Sequence, residues 1–332
     1  MKIKRLFVIV LSFLAISFCF NINFASANNV DNIYLGGFPA GFSLQTRGAY
    51  INGICEVITE NGLTSPAKEA GLKVGDTIYE INEKEVNSSL DIETLLKETA
   101  NKSLELTILS DGKLDYVDIT PAKDLNNKYR LGIFVRDNIN GIGTVTYVKN
   151  NRIGSLGHPV VDEKQCLLNI VGGSLYGCYI TGCVKGERGT PGELRGVFSR
   201  NGEVAKVDLN LPSGIYATKI NNNENNNFNN LKKIEIGKGE VGKAKIYTTI
   251  CGIAPKEYDI SIVKVDNKFS GNKNFVIKVT DEELLKQTGG IVQGMSGSPI
   301  VQNGKLVGAV THVFINDPTR GFGISIDNMI NN

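Results

Sequence analysis

The sequence predicts a mainly β protein that carries a small α+β unit near its start, and three observations lead there. Glycine is abundant, with 37 among 332 residues. Short runs rich in Val, Ile and Thr recur, separated by glycine, Asn-Asn and Asp turns. From about residue 130 onward these runs continue without long helical periods, the pattern of a barrel or sandwich. With 41% hydrophobic and 21% charged residues the balance is that of globular protein. The length allows two or three domains.

The first 27 residues read as a separate unit. Lys2, Lys4 and Arg5 precede the apolar run LFVIVLSFLAISFCF, and Ala25-Ser26-Ala27 supplies a small-x-small cleavage pattern. The run is short for a membrane span, so the segment is either a cleaved signal peptide or an uncleaved N-terminal anchor. Both send the rest of the chain out of the cytoplasm. Without those three cations, 33 basic residues face 34 acidic ones. The remainder is near neutral and has no basic stripe, which argues against a nucleic-acid partner.

Cys19 falls in that segment, leaving Cys55, Cys166, Cys178, Cys183 and Cys251. Five cannot all pair, the spacing of Cys178 and Cys183 is too loose for a redox motif, and buried free thiols are expected. Only two histidines occur, so a Cys/His zinc site is not expected, and no metal or organic cofactor is implied.

Residues 33 to about 122 carry the α+β unit. YLGGFPAGFSLQT reads as a glycine-rich loop entering a strand, and GAYINGICEVI as a second strand. In SPAKEAG, Ser65 is a candidate N-cap, Pro66 suits the first helical position and Gly71 a stop. KVGDTIYEINEKEV is a turn and a strand turning Ile78 and Ile81 inward. Leu90, Ile92, Leu95 and Leu96 recur at helical spacing. Asp111-Gly112 signals a hairpin. SPAKEAGLKVGDTIYEINEKEV resembles the core of bacterial PDZ domains. That resemblance implies a peptide groove between a strand and a helix, with a loop whose N–H groups take a peptide carboxylate. The loop expected to match spans Gly36 to Leu44, with Gly36, Gly37, Gly41 and Phe42 as its binding residues. The PDZ unit is accordingly bounded at 28–124, and a second domain at 130–332. Within the latter, NNNENNNFNN (221–230) is a polar loop that buries too little apolar surface to order itself.

The chemistry centres on Gly294-Met295-Ser296-Gly297-Ser298-Pro299. A serine nucleophile needs a base, and only His158 and His312 can supply an imidazole. The N–H groups of Gly294 and Ser296 are candidate oxyanion donors, and Gly297 leaves room for substrate backbone. β-prone residues and Asn303-Gly304 follow, so the context is not the strand-to-helix elbow of α/β hydrolases. It resembles the nucleophile loop, hairpin and next strand of chymotrypsin-like serine peptidases, a double β-barrel fold. Met295 stands where trypsin-like enzymes hold the aspartate that pairs with a freed N-terminus, so that mode of activation is not expected. The base of that fold comes from the first barrel, which favours His158 in GSLGHPVVD. Thr311 and His312 then wall the substrate cleft. Asp162, Asp259, Asp266 and Asp281 all remain possible third members from spacing alone.

KVTDEELLKQTGGIVQGMSGSPIVQNGKLVGAVTHVFINDPTRGFGI, together with IGSLGHPVVD, resembles the stage IV sporulation protein B (SpoIVB) peptidases of endospore-forming bacteria. The resemblance covers nearly all of the chain after residue 27. It implies a triad of His158, Asp281 and Ser296, with the aspartate assigned by the family phrase alone. It further implies a sporulation signalling endopeptidase, exported into the space between the forespore membranes and there able to cleave itself near its N-terminus. Its other partner is then a membrane-bound regulator of an intramembrane protease, which in turn processes a late mother-cell sigma factor precursor. The competing reading is a non-catalytic, PDZ-containing exported scaffold; the intact His158, Asp281 and Ser296 set favours the enzyme.

Overall fold

A computed structural model describes residues 32–99, 102–162, 165–220, 231–266 and 268–331. The expected signal or anchor segment (1–27) and the Asn-rich stretch (221–230) lie outside the described residues.

Two long strands organise the first half of the molecule. β1 (Pro39–Ile54) runs sixteen residues. A compact insert follows, containing α1 (Pro66–Glu69), β2 (Thr77–Ile81), α2 (Ser89–Thr99), β3 (Leu104–Ser110) and β4 (Lys113–Ile119). The chain returns on the seventeen-residue β5 (Ile133–Lys149), antiparallel to β1 along most of its length. The far end of this ribbon joins the PDZ sheet, where Ala49 and Tyr50 pair with β2, β2 with β3, and β3 with β4. Its core gathers Ile51, Ile78, Ile81, Leu104 and Leu106 with Ile92, Leu95 and Leu96 of α2. Leu90 departs from the expected apolar face and is exposed. The Asp111-Gly112 hairpin forms as expected, with both residues at positive φ.

The near end of the ribbon enters a barrel. β6 (Arg152–Ser155), β7 (Ile170–Val184), β8 (Glu193–Leu211) and β9 (Gly214–Lys219) complete the antiparallel circuit β1-β5-β6-β9-β8-β7-β1. Burial along β5 records the change of surroundings. It alternates through the ribbon and then becomes continuous over Val145 and its neighbours, where the strand is covered on both faces. A register shift between Arg136 and Asn138 marks the junction. There Asp137 takes hydrogen bonds from Ser89 N–H and Oγ, each 2.6 Å, at the start of α2. The bulge thus aims a carboxylate at a helix N-terminus.

The second barrel closes in the same way. β10 (Gly242–Thr248), β11 (Lys256–Val265), β12 (Phe275–Val279), β13 (Pro299–Gln302), β14 (Lys305–Phe314) and β15 (Asp317–Ser325) form the circuit β10-β11-β12-β15-β14-β13-β10. α3 (Glu282–Thr288) separates β12 from β13, and α4 (Ile326–Ile330) ends the described chain. Tyr147 and Tyr216 of the first barrel both donate to the Met329 carbonyl of α4, at 3.1 and 2.9 Å. Two six-stranded antiparallel barrels are the fold the nucleophile loop led us to expect.

The domain boundaries need correction. Ile33–Leu35 pairs with the barrel end of β5, and residues 39–46 of β1 pair with β5 and β7. The segment therefore belongs to the first barrel, and the PDZ unit is inserted between two of its strands. The thiols also differ in part from expectation: Cys178 is buried, but Cys166 and Cys251 are exposed.

Candidate active site

The loop Gly290–Ser298 is held by hydrogen bonds to nearly every carbonyl that frames Ser296. The Gln293 carbonyl accepts from Leu194 N–H of β8 at 2.8 Å. The Met295 carbonyl accepts from Ser298 N–H at 3.0 Å and from Ser298 Oγ at 2.6 Å. In a trans peptide the N–H points opposite its carbonyl, so the N–H groups of Gly294 and Ser296 face away from those partners. Neither donates to an acceptor among the described residues. β5 secures the remaining carbonyls: Thr144 Oγ1 donates to Gly294 at 2.9 Å, Thr144 N–H to Ser296 at 2.9 Å, and Thr146 Oγ1 to Gly297 at 2.7 Å. Gly297 adopts φ +92°, and a Cβ there would lie 2.0 Å from the Thr144 carbonyl oxygen. Only glycine fits that approach.

Ser296 Oγ donates to the Thr311 carbonyl at 2.8 Å. Thr311 and His312 lie on β14, where the cleft wall was expected. His158 follows β6 after a sharp reversal in which Leu156 and Gly157 take φ +66° and +70°. A left-handed leucine is strained by about 1 kcal/mol or more, and it turns the next residues toward the second barrel. The Gly157 position lies against Thr311 and Ile324. The His158 and His312 rings meet with centroids 4.7 Å apart and planes inclined by 37°. His158 Nδ1 bonds the Pro159 carbonyl at 2.8 Å, which makes Nδ1 the donor and leaves Nε2 unprotonated in the neutral ring. Burial pushes the His158 pKa below its ordinary value, against the opposing pull of that carbonyl. The loop beyond is clamped by Asn210, which bonds Val160 N–H and the carbonyls of Val160 and Leu168 at 2.8–2.9 Å.

Asp281, expected as the third member of the triad, makes no hydrogen bond to His158 among the described residues. Asp281 is the N-cap of α3: its Oδ1 accepts from Leu284 N–H at 2.9 Å and its Oδ2 from Asp259 N–H at 3.3 Å. Its place between a strand end and a helix start, followed by Glu282 and Glu283, suits a capping residue. Among the described residues no carboxylate hydrogen-bonds either histidine.

The expected carboxylate-binding loop is likewise relocated. Gly36 and Gly37 donate to Thr146 and Val145, while Gly41 and Phe42 are paired on both sides within the first barrel. Phe42 sits in that barrel's core. A cavity of about 480 Å³ is lined by α2 (Ile92, Glu93, Leu96), by Leu131 and Gly132, and by the start of β5 (Ile133, Val135). The Leu131 and Gly132 carbonyls are tied to the N–H groups of Ala67 and Cys55, both at 2.9 Å.

Sequence reasoning missed Thr144, Thr146 and Asn210, whose partners are remote along the chain. It also singled out neither Leu131 nor Gly132, which line the cavity beside α2.

Fold and site together define a two-barrel serine peptidase with an inserted PDZ domain. The profile of the SpoIVB peptidase S55 family matches residues 127–330, more than half of the chain, and a PDZ domain profile matches 57–110. The chain belongs to the SpoIVB peptidase S55 family. It is 38% identical over 73 residues to the regulator of sigma-W protease RasP of Bacillus subtilis (strain 168), covering 21% of this chain and 17% of that protein. It is 27% identical over 103 residues to the probable protease eep of Enterococcus faecalis (strain ATCC 700802 / V583), covering 30% and 24%. The chain thus spans a quarter or less of either relative. Among solved structures it is similar to the PDZ domain of the SdrC-like protein from Listeria monocytogenes (22% identity, 27% of this chain and 90% of that one, TM-score 0.23). It is also similar to the inactive form of the Rv3671c protease (13% identity, 56% and 80%, TM-score 0.32).

Proposed function

We propose that Ser296 is the nucleophile and His158 its general base, in a sporulation signalling peptidase that cleaves itself and then a membrane-bound regulator. The observation that carries the catalytic part is the meeting of the two barrels at one point. β14 touches Ser296 through Thr311 and His158 through His312. In the resting arrangement the Ser296 proton lies on the Thr311 carbonyl. For attack on a peptide carbonyl, Ser296 Oγ turns to His158 Nε2, which takes the proton and later delivers it to the leaving amine. The N–H groups of Gly294 and Ser296, left without acceptors, bind the oxyanion, an arrangement worth about 3–4 kcal/mol per donor in comparable sites.

The PDZ groove is proposed to take the C-terminal end of a protein ligand. With the Leu131 and Gly132 carbonyls pinned behind, the N–H groups of Gly132 and Ile133 face the other way, toward a peptide carboxylate laid along β5. Family membership supports the signalling role: export across the forespore membrane, self-cleavage, then cleavage of a membrane-bound regulator whose loss lets an intramembrane protease process a late sigma factor precursor. Intact-mass analysis of the full chain and of Ser296→Ala tests self-cleavage. We expect shortened species in the wild type only; one identical mass in both sinks it.

A further inference from the structure

Beyond Ala309 the ladder between β13 and β14 ends, and Val313 and Phe314 pair with β15 alone among the described residues. One edge of β14 therefore stays open where the strand leaves Ser296, and a substrate segment can add to it as an antiparallel strand. Thr311 holds the Ser296 hydroxyl. In that direction, residues before the scissile bond run along His312–Phe314.

The turn between β11 and β12 is fastened beside this edge. Thr311 Oγ1 donates to the Asn272 carbonyl at 3.0 Å, and Asn272 Nδ2 reaches the Pro212 carbonyl of the first barrel at 3.2 Å. The amides of Asn274 and Asn328 grip the Phe269 carbonyl at 2.6 and 3.0 Å, and Asn328 also takes the Gly271 carbonyl at 3.0 Å. Lys273 stands exposed on this pinned turn. Its ammonium lies 5.1 Å from the centroid of Phe322, whose ring meets that of Phe314 at 4.7 Å. Its charge also reaches the cleft: burial first, then His158, then Lys273 push the His312 pKa down to about 4.

An aromatic face places an ammonium without neutralising it, and leaves its N–H donors for other acceptors. Among the described residues no carboxylate forms an ion pair with Lys273 and no acceptor takes its N–H groups. Arg320, two positions from Phe322 on β15, is by contrast paired with Asp317 at 3.7 Å. A spare cation is thus held over two phenylalanines at the open end of β14. We infer that Lys273 is a specificity-determining residue, selecting substrates that carry Asp or Glu a few residues before the scissile bond. The acidic side chain lies across the Phe314–Phe322 pair to meet the ammonium. The inference rests on Ser296 as the nucleophile and deepens that reading by naming the class of substrate.

The test uses the full chain and its Lys273→Ala, Lys273→Arg and Lys273→Glu variants. Each digests a random peptide library, and the residues upstream of every cut are read by mass spectrometry. We expect Asp and Glu enriched in wild type and Lys273→Arg, no enrichment in Lys273→Ala, and Lys or Arg favoured by Lys273→Glu. For the best acidic peptide and its amide counterpart, wild-type kcat/KM should differ by about fivefold or more, chiefly through KM. Raising the salt from about 0.05 to about 0.5 M should shrink that ratio, since solvent reaches the pair. No acidic enrichment in wild type, or an enrichment that survives in Lys273→Ala, overturns the inference and leaves Lys273 a solvated surface cation. A second readout needs no turnover: the library is captured on immobilised Ser296→Ala, with and without Lys273→Ala. The protein that keeps Lys273 should retain the more acidic pool, and identical pools also overturn the inference. Failure of wild type to label with a fluorophosphonate, by contrast, removes the nucleophile assignment while the capture comparison still decides the role of Lys273.

Discussion

At the scale of single residues, Asp281 decides between two accounts of this site. As a helix cap its work is to accept from Leu284 N–H, and asparagine caps about as well as aspartate. Asp281→Asn should therefore keep most activity and stability, while Asp281→Ala loses about 1 kcal/mol of stability. A triad carboxylate behaves otherwise, since the asparagine exchange then lowers kcat by about 10⁴. Steady-state kinetics with thermal melting separate the two. The histidines make a second prediction. Burial lowers His158 below its usual value and holds His312 at about 4, whereas both titrate near ~6.5 in the unfolded chain. Between those values the unfolded state binds more protons, so stability is complete above about pH 6.5 and declines as pH falls toward about 4. Urea midpoints at pH 7.5 and 5 should differ less in His312→Phe, which cannot take a proton. The acid limb of wild-type activity should likewise lie below pH 6.5.

At the scale of elements, β5 joins the cavity beside α2 to the Ser296 loop. Its first residues, Ile133 to Val135, line that cavity, and about ten residues later its threonines fix the carbonyls of Gly294 and Gly297. Thr144→Val keeps shape and the N–H bond to Ser296 but leaves the Gly294 carbonyl unsatisfied, a loss of about 1–3 kcal/mol in stability. Loosening that peptide disturbs an oxyanion donor, so kcat should fall about tenfold or more with KM little changed. Full kcat in Thr144→Val would show that the loop holds its shape without β5. These contacts had no trace in the sequence, because Thr144 and Gly294 are 150 positions apart. The Ser296 loop was legible for the opposite reason. Gly294-Met295-Ser296-Gly297 is a local pattern whose glycines are required by its own backbone geometry.

At the scale of the whole molecule, the two-barrel architecture followed from recurring short strands and the nucleophile context, but the division into domains did not. A boundary read along the chain assumes that each strand serves one domain. β1 and β5 each serve two, so residues 33–46 were placed with the PDZ unit although they close the first barrel. The same assumption moved the carboxylate loop to Gly36–Leu44, whose glycines look equally suitable until their pairing is seen. His158 was singled out because a serine nucleophile needs a base and the chain has two histidines. Asp281 was drawn in by a phrase of sequence whose local geometry proves to be that of a cap. What the account asserts above all is that Ser296 is activated by His158. Fluorophosphonate labelling of wild type, Ser296→Ala and His158→Ala, with the adduct located by peptide mass spectrometry, measures this directly. The account predicts one adduct on Ser296 in the wild type, none in Ser296→Ala, and labelling slowed by about 10²-fold or more in His158→Ala. Equal labelling of all three proteins would contradict it.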